Sequence, residues 1–483
     1  MDGLFILLPV IFPIIIGLSI FLFKNQNTTL FKCYVFGSTL LTSIFIYFVL
    51  FNDDLGAFKF LELTDNLYLS LNSDGLGKFF AGMIAFLWPF ATLYSFGYMS
   101  HENHLRLFYA FYIITYGITC GIAFSNNMLT LYFFYELLTF STLPLVIHPM
   151  TKKAIRAGKK YLYLSIGGSA FAFFGLIYLI LNGASLDFSF GGTLNGEAGN
   201  TLLLAYMLTF LGFGVKSAIF PLHIWLPSAS VAPTPVTALL HAVAVVKAGV
   251  FAIIRLTYYS FSPEIINGTW VHYVGLTLSL FTIIYGSAIS LKERHFKRRL
   301  AYSTVSNLSY IVFATLLLTP QSLAAALTHM VFHAITKITS FFCAGNVLHC
   351  SKREYLFQLN GLGKKMPITF AVFSISALSL TGVPLFCGFI SKLQICLAAI
   401  ETNTWYGFLG VIILLISAFL TAMYMLSIVI RAYFFKFDEN DHEVKEAPMI
   451  MNISLIVFSI LMIIFGTFQT SIIEITQKIV GIL

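Results

Sequence analysis

The chain has 483 residues, of which 58% are hydrophobic and only 10% charged, with a formal net charge of +8. Soluble domains carry about 25% charged residues, so this composition excludes a soluble enzyme and specifies a polytopic membrane protein. The positive charge is gathered in short loops between apolar runs, which excludes a nucleic-acid-binding role.

A helix needs ~20 apolar residues to cross the hydrocarbon core. About 14 such segments are expected, at 4–23, 30–52, 76–98, 106–124, 127–148, 159–182, 200–220, 235–258, 268–291, 299–318, 323–348, 367–399, 405–435 and 449–475. The first contains Pro9 and Pro13 and is followed by no A-x-A-like site, so it reads as a mature helix and not as a signal peptide. The longest polar connection, Asn52 to Lys78, holds the alternating stretch LYLSL. The six cysteines form no CxxC pair and predict no metal or haem site.

Assigning Lys and Arg to alternate sides of these segments places 20 on one side and four on the other (Lys59, Lys78, Arg255, Lys478). Four more lie within segments: Lys216, Lys247, Lys337 and Lys392. The rich side includes TKKAIRAGKK at 151–160 and KERHFKRR at 292–299. Because Lys and Arg mark the cytoplasmic side, both termini are expected on the outer side of a cell membrane. The acidic stretch FDENDHEVKE at 437–446 is then cytoplasmic and reads as a solvated linker.

Five formal charges fall deep in segments, Glu136 and the four lysines, accompanied by His241, His329 and His333. Each charge at the bilayer centre costs at least ~2.5–3.5 kcal/mol, so together they must face the bundle interior, water or each other. Lys392 could instead snorkel from a helix end, and His241 alone reads as a satisfied interior histidine. His329, His333 and Lys337, spaced i, i+4, i+8, share one helix face and keep it polar over about 12 Å. His241 and Lys247 are six apart and are expected to serve different neighbours. A carboxylate ~4 Å from an ammonium at an effective dielectric of ~20 attracts it by about 4 kcal/mol, enough to load or unload a proton as the two approach or part. Histidines between such groups pass protons near neutrality.

Residues 212–242 carry Pro221, Pro227, Pro233 and Pro235, too many for one helix. Yet the stretch is apolar, so non-helical backbone there must be buried or line a cavity. A second interruption, LTGVPLFCGFISK at 380–392, holds Gly382, Pro384 and Gly388. Lys216 precedes the first break and Lys392 follows the second. This reversed order predicts an inverted repeat, with segments 4–8 and 9–13 as the halves, although two unrelated proline kinks would leave the same trace. The expected units are an N-terminal three-helix part (1–105), a first repeat (106–258), a second repeat (268–435) and an acidic linker with a final helix (436–483).

The stretches YELL (135–138), FGVKSAIFPLHIWLPSASVAPTPVTALLH (213–241), KAGVFAIIR (247–255), KRRLAYSTVSNLSY (297–310), THMVFHAITKITSFFCAGNVLH (328–349) and GVPLFCGFISK (382–392) resemble the antiporter-like subunits of complex I, the Mrp cation/proton antiporters and the membrane-bound hydrogenases. The resemblance spans segments 4 to 13. It implies two inverted five-helix repeats, each with a half-channel, joined by a polar axis. By motif it implies Glu136 and Lys216 as the gate pair, Lys247 with His241 on the eighth helix, His329, His333 and Lys337 as connecting groups, and Lys392 as the group exchanging with the exit. Some relatives carry glutamate at this last place. The resemblance also implies membrane partner subunits and no cofactor in this chain. Few residues follow the last segment, whereas the large complex I member has a long lateral helix, so a D-type Mrp subunit or a short 14-helix relative is expected. Its function would be proton translocation, with Na⁺ as a candidate coupled ion. The alternatives are the ion-pumping subunit of a redox-driven complex and a stand-alone secondary transporter. A membrane redox enzyme and an inert scaffold fit poorly, since the chain shows no ligand pair, cysteine cluster or GxGxxG but has a full set of buried charges.

Overall fold

The computed structural model describes residues 2–23, 28–53, 55–64, 66–194, 199–436 and 444–482. Most of the acidic stretch, 437–443, lies outside them. The chain runs α1 (Leu8–Ser19), α2 (Thr29–Phe51), the hairpin β1 (Phe58–Thr64) and β2 (Leu67–Leu71), α3 (Gly75–Tyr98), α4 (Leu105–Ala123), α5 (Met128–Val146), α6 (Lys152–Leu181) and α7 (Asn200–Lys216). It continues through short α8 (Trp225–Ala229), α9 (Thr234–Ala242), α10 (Val245–Arg255) and α11 (Pro263–Ile266). The rest is α12 (Trp270–Lys292), α13 (Phe296–Leu316), α14 (Pro320–Ser351), α15 (Pro367–Thr381), α16 (Cys387–Glu401), α17 (Trp405–Phe434), α18 (Met449–Thr467) and α19 (Thr470–Ile479). Among the described residues the fold is all-helical apart from the two-stranded antiparallel hairpin, whose second strand is the alternating LYLSL stretch.

Among the described residues, 11 helices are long and apolar enough to cross a membrane. The remaining expected segments correspond to α7, α13 and the α15–α16 pair. α7 and α15 are shorter apolar helices, and α13 is long but rich in Ser, Thr, Asn and basic residues. Nearly every residue of α13 is buried by neighbouring helices. A helix surrounded by protein has no lipid to face, so its apolar stripe can be given up for polar groups.

Both expected interruptions are breaks. α7 stops at Lys216, and the chain passes through a short 3₁₀ turn and α8 before α9. The prolines sit where they are tolerated: Pro221 precedes the 3₁₀ turn, Pro227 lies in the five-residue α8, Pro233 is the N-cap of α9 and Pro235 is in its first turn. The second break follows α15, where Gly382 takes a left-handed φ of 93° that ends the helix. Pro384 follows it, and α16 starts at Cys387. A third break falls at Val243 and Ala244, with no proline or glycine to mark it. There Ala244 N–H bonds back to the Leu239 carbonyl, five residues away, and α9 separates from α10. The end of α10 runs into a π-helical turn, Leu256–Phe261.

α14 is the longest helix, at 32 residues, and packs against α3, α9, α13, α15, α16, α18 and α19. This is why its polar face is buried: every side of it meets another helix.

Candidate ion path

Lys216 ends α7 and is fully buried. Three of the carbonyls released at this helix end are already taken. Val215 O accepts from the Trp225 indole at 2.7 Å, Phe213 O from Ser217 N and Gly214 O from Ile219 N. The Lys216 ammonium therefore reaches across to α5, where it donates to the Tyr135 carbonyl and lies 3.5 Å from the Tyr135 ring centroid. Glu136, the next residue, is half-buried, and its Oε1 is enclosed without a hydrogen-bond partner. The Glu136 carboxylate acts on Lys216 through space. No ion pair within 4.0 Å joins the two among the described residues. The expected pair is brought together as neighbours with a gap between them.

Lys247, Lys337, His241, His329 and His333 are all at most 2% exposed. Lys247 Nζ lies 2.7 Å from His333 Nδ1, linking α10 to α14. The His333 ring stacks on His329 with centroids 5.8 Å apart, one turn along the helix. His329 Nδ1 lies 2.9 Å from the Ser391 hydroxyl on α16, beside Lys392. Both histidines keep Nε2 enclosed and unpartnered. Lys337 faces a different neighbour, donating to Ser303 Oγ at 2.7 Å and to the Leu300 carbonyl at 3.2 Å, both on α13. His241 packs its ring on Phe341 at 4.6 Å, with both nitrogens enclosed and unpartnered. His241 and Lys247 thus serve different neighbours, separated by the break at 243–244.

Lys392 is 8% exposed. It does not snorkel outward. Its ammonium turns back onto the end of α15 and donates to the carbonyls of Leu380 and Thr381. The last carbonyls of a helix lack partners and carry the negative end of its dipole, which makes them a fit acceptor set for an ammonium.

Three features escape sequence reasoning. The first is a hydroxyl cluster on α12, α13 and α17: Ser287 to Ser417 at 2.6 Å, Ser287 to Ser306 at 2.8 Å, and Tyr310 donating to Ser417 at 2.8 Å. Serines are common at membrane helix contacts, so nothing in the sequence singled these out. The second is Arg255, expected at the outer side but only 1% exposed. It forms a two-pronged pair with Asp74, the N-cap of α3. Its distance of 181 residues from Asp74 hid the pairing. The third is Lys297, buried and donating to the Ala232 carbonyl at 3.0 Å between α8 and α9.

Asn126, Ser141 and Thr142, which could offer oxygens to a Na⁺ ion by residue type, do not converge. Asn126 donates to Ser70 Oγ at 3.2 Å and Asp187 Oδ1 at 3.3 Å beside the hairpin. Ser141 and Thr142, about 22 Å further along α5, both donate to the Leu138 carbonyl. Asp187 also accepts from the Tyr68 hydroxyl at 2.7 Å, which pushes that phenol up to about 12.

Residues 125–421 match the family described as NADH:quinone oxidoreductase/Mrp antiporter, transmembrane. The chain belongs to this family. Its matched region runs from just before α5 to within α17 and contains Glu136, Lys216, Lys247, Lys337 and Lys392. The chain is 31% identical over 428 residues to the Na(+)/H(+) antiporter subunit A1 of Staphylococcus aureus strain Newman, covering 83% of this chain and 52% of that protein. The same figures hold for the subunit A1 of strain USA300. The chain thus spans about half the length of the curated relatives it matches. Its fold matches a chain of the Mrp complex from Dietzia sp. DQ12-45-1b with a TM-score of 0.85 at 18% identity, covering 99% of this chain and 96% of that one. It equally matches a chain of the membrane-bound sulfane sulfur reductase, an archaeal respiratory membrane complex, at 0.85 and 23% identity, covering 98% and 96%.

Proposed function

We propose that the chain is an ion-translocating membrane subunit of a multisubunit complex, moving protons in exchange for Na⁺ as an Mrp-type antiporter subunit does. The observation that carries this reading is the unbroken contact of buried groups from Lys247 to His333, His329 and Ser391, ending beside Lys392. Burying so many basic groups for structure alone would be costly, and histidines pass protons readily. In this reading Glu136 and Lys216 form the gate, where a small shift of the carboxylate across the gap alters the lysine's hold on its proton. Lys247, His241, His329, His333 and Lys337 relay, and Lys392 exchanges with the exit. The names of the Staphylococcus aureus relatives support Na⁺/H⁺ exchange as the activity.

The reversed order of lysine and break supports two inverted repeats, 106–258 and 268–435. The loop charges support a cytoplasmic basic side with both termini outside. The chain needs no cofactor of its own in this scheme, and its partners are other membrane subunits. A second reading, the ion-pumping subunit of a redox-driven complex, is supported by the likeness to the sulfane sulfur reductase chain.

The test of translocation is Lys216→Ala in the assembled complex. Assembly should persist while proton flux falls to below about a hundredth, the scale of a lost acid–base group. Unchanged flux would remove Lys216 from the path. Purification from the native membrane with an absorption spectrum separates the two readings: iron–sulfur absorbance means the redox-driven complex, and a colourless set of small membrane subunits means the antiporter.

A further inference from the structure

At the basic end of the bundle, α12, α13 and α17 enclose a cavity of about 760 Å³. Four cationic side chains line it: Lys292, Arg294, Arg299 and Arg431. Among the described residues its lining contains no carboxylate. Neighbouring Glu293 is turned elsewhere, pairing with Arg298 at 3.1 Å and accepting from the backbone N–H groups of Arg294 and His295.

Arg299 forms the floor and is 6% exposed. It donates to the carbonyls of Glu293, Leu291 and Tyr424 and to the Ser427 hydroxyl. These bonds use four of a guanidinium's five N–H groups. They fix its fork without neutralising its charge, and a buried charge lacking a counter-ion is destabilising. An anion in the cavity would supply that counter-ion. One N–H of Arg299 is left for a phosphate oxygen, and the guanidinium fork of the exposed Arg294 matches phosphate geometry.

The surroundings identify the source of the phosphate. Phe357, in the cavity lining, is 59% exposed, and Phe434 and Phe435 beside Arg431 are 81% and 47% exposed. Cations beside bare aromatic rings fit a molecule whose anionic head continues into acyl chains. Basic pockets between helices at the cytoplasmic surface bind such headgroups.

We propose that this cavity is a binding site for an anionic phospholipid, its phosphodiester held by Arg299, Arg294, Lys292 and Arg431 and its chains lying along the exposed phenylalanines. The site also touches the buried path. Tyr424, whose carbonyl holds Arg299, donates its hydroxyl to Ser303 Oγ at 2.7 Å, and Ser303 in turn accepts from Lys337. The lipid assignment stands apart from the transport reading, because its test measures binding alone.

The test uses the intact complex in nanodiscs of mixed phosphatidylglycerol and phosphatidylcholine, with bound lipid read by native mass spectrometry. Lys292→Gln and Arg294→Gln are the variants, because both side chains are exposed and Arg299, which ties α12 to α17, stays intact. The wild type should retain phosphatidylglycerol over phosphatidylcholine. Each single variant should weaken that retention about fivefold, and the pair about thirtyfold. Equal retention of the two lipids, or retention unchanged in the double variant, overturns the proposal. Release of the bound lipid by inorganic phosphate alone would also overturn it, because the cavity would then be a site for free phosphate.

Discussion

The two proline-marked breaks hold a lysine each but hold it by different means. At the first break, three of the carbonyls released by α7 are taken by Trp225 and by the returning backbone. Lys216 is left to a single carbonyl of another helix, the face of Tyr135 and the field of Glu136 across a gap. At the second break, the returning backbone takes the Leu378 and Ser379 carbonyls, but the last two, of Leu380 and Thr381, are the lysine's acceptors. A helix end can hold a charge with no carboxylate nearby. Where the helix end is already capped, the charge depends on a side chain that can move. The first break is therefore the one suited to switching, and the second the one suited to steady exchange.

The strongest way to break this comparison is to neutralise the carboxylate. Glu136→Gln should lower proton flux by at least about tenfold, and combining it with Lys216→Ala should add little, because the two would act as one unit. Glu401, an exposed carboxylate at the end of α16 far from the second break, is the control. Glu401→Gln should leave flux unchanged. Equal losses from the two variants would mean that both lysines depend on carboxylates.

His333 tests the contact between α10 and α14. His333→Ala removes the partner of a fully buried lysine and should cost about 1–3 kcal/mol in thermal stability while interrupting flux. His333→Gln restores an acceptor for Lys247 but cannot carry a proton between two ring nitrogens. It should recover stability and not flux. Recovery of both would reduce His333 to a structural support.

Gly388→Ala probes how tightly the second break is built. A Cβ there would collide with the Ser379 carbonyl on α15, so the backbones must move apart and unfolding should ease by about 1–3 kcal/mol. Flux should fall with it as the Leu380 and Thr381 carbonyls shift from Lys392.

The smallest effect lies outside the membrane, where Tyr68 donates to Asp187 beside the hairpin. Its phenol should titrate at about 12, and Asp187→Asn should return it toward the ordinary value of about 10. The raised value means that the bond's contribution is complete below about pH 10 and is lost as pH rises through about 12. An ultraviolet titration in which wild type and variant coincide would remove the bond.

The sequence by itself determined much of this protein. Hydropathy placed the helices, because lipid forces every exposed spanning segment to be apolar. The prolines at 221–235 and the Gly382–Pro384 pair located two breaks, because those residues act on their own backbone. The spacing of His329, His333 and Lys337 gave their common face, because helical periodicity is local. Only the tertiary structure decided the partners. Lys247 meets His333 from 86 residues away, Arg255 meets Asp74 from 181, and the cavity's four cations, Lys292, Arg294, Arg299 and Arg431, gather from α12, the loop after it, α13 and α17. The break at 243–244 was likewise invisible, since neither valine nor alanine interrupts a helix alone. It is made where α9 packs against α3 and α14 and α10 against α7 and α13. Local geometry is written in neighbouring residues, whereas the pairing of buried charges depends on which helices pack together.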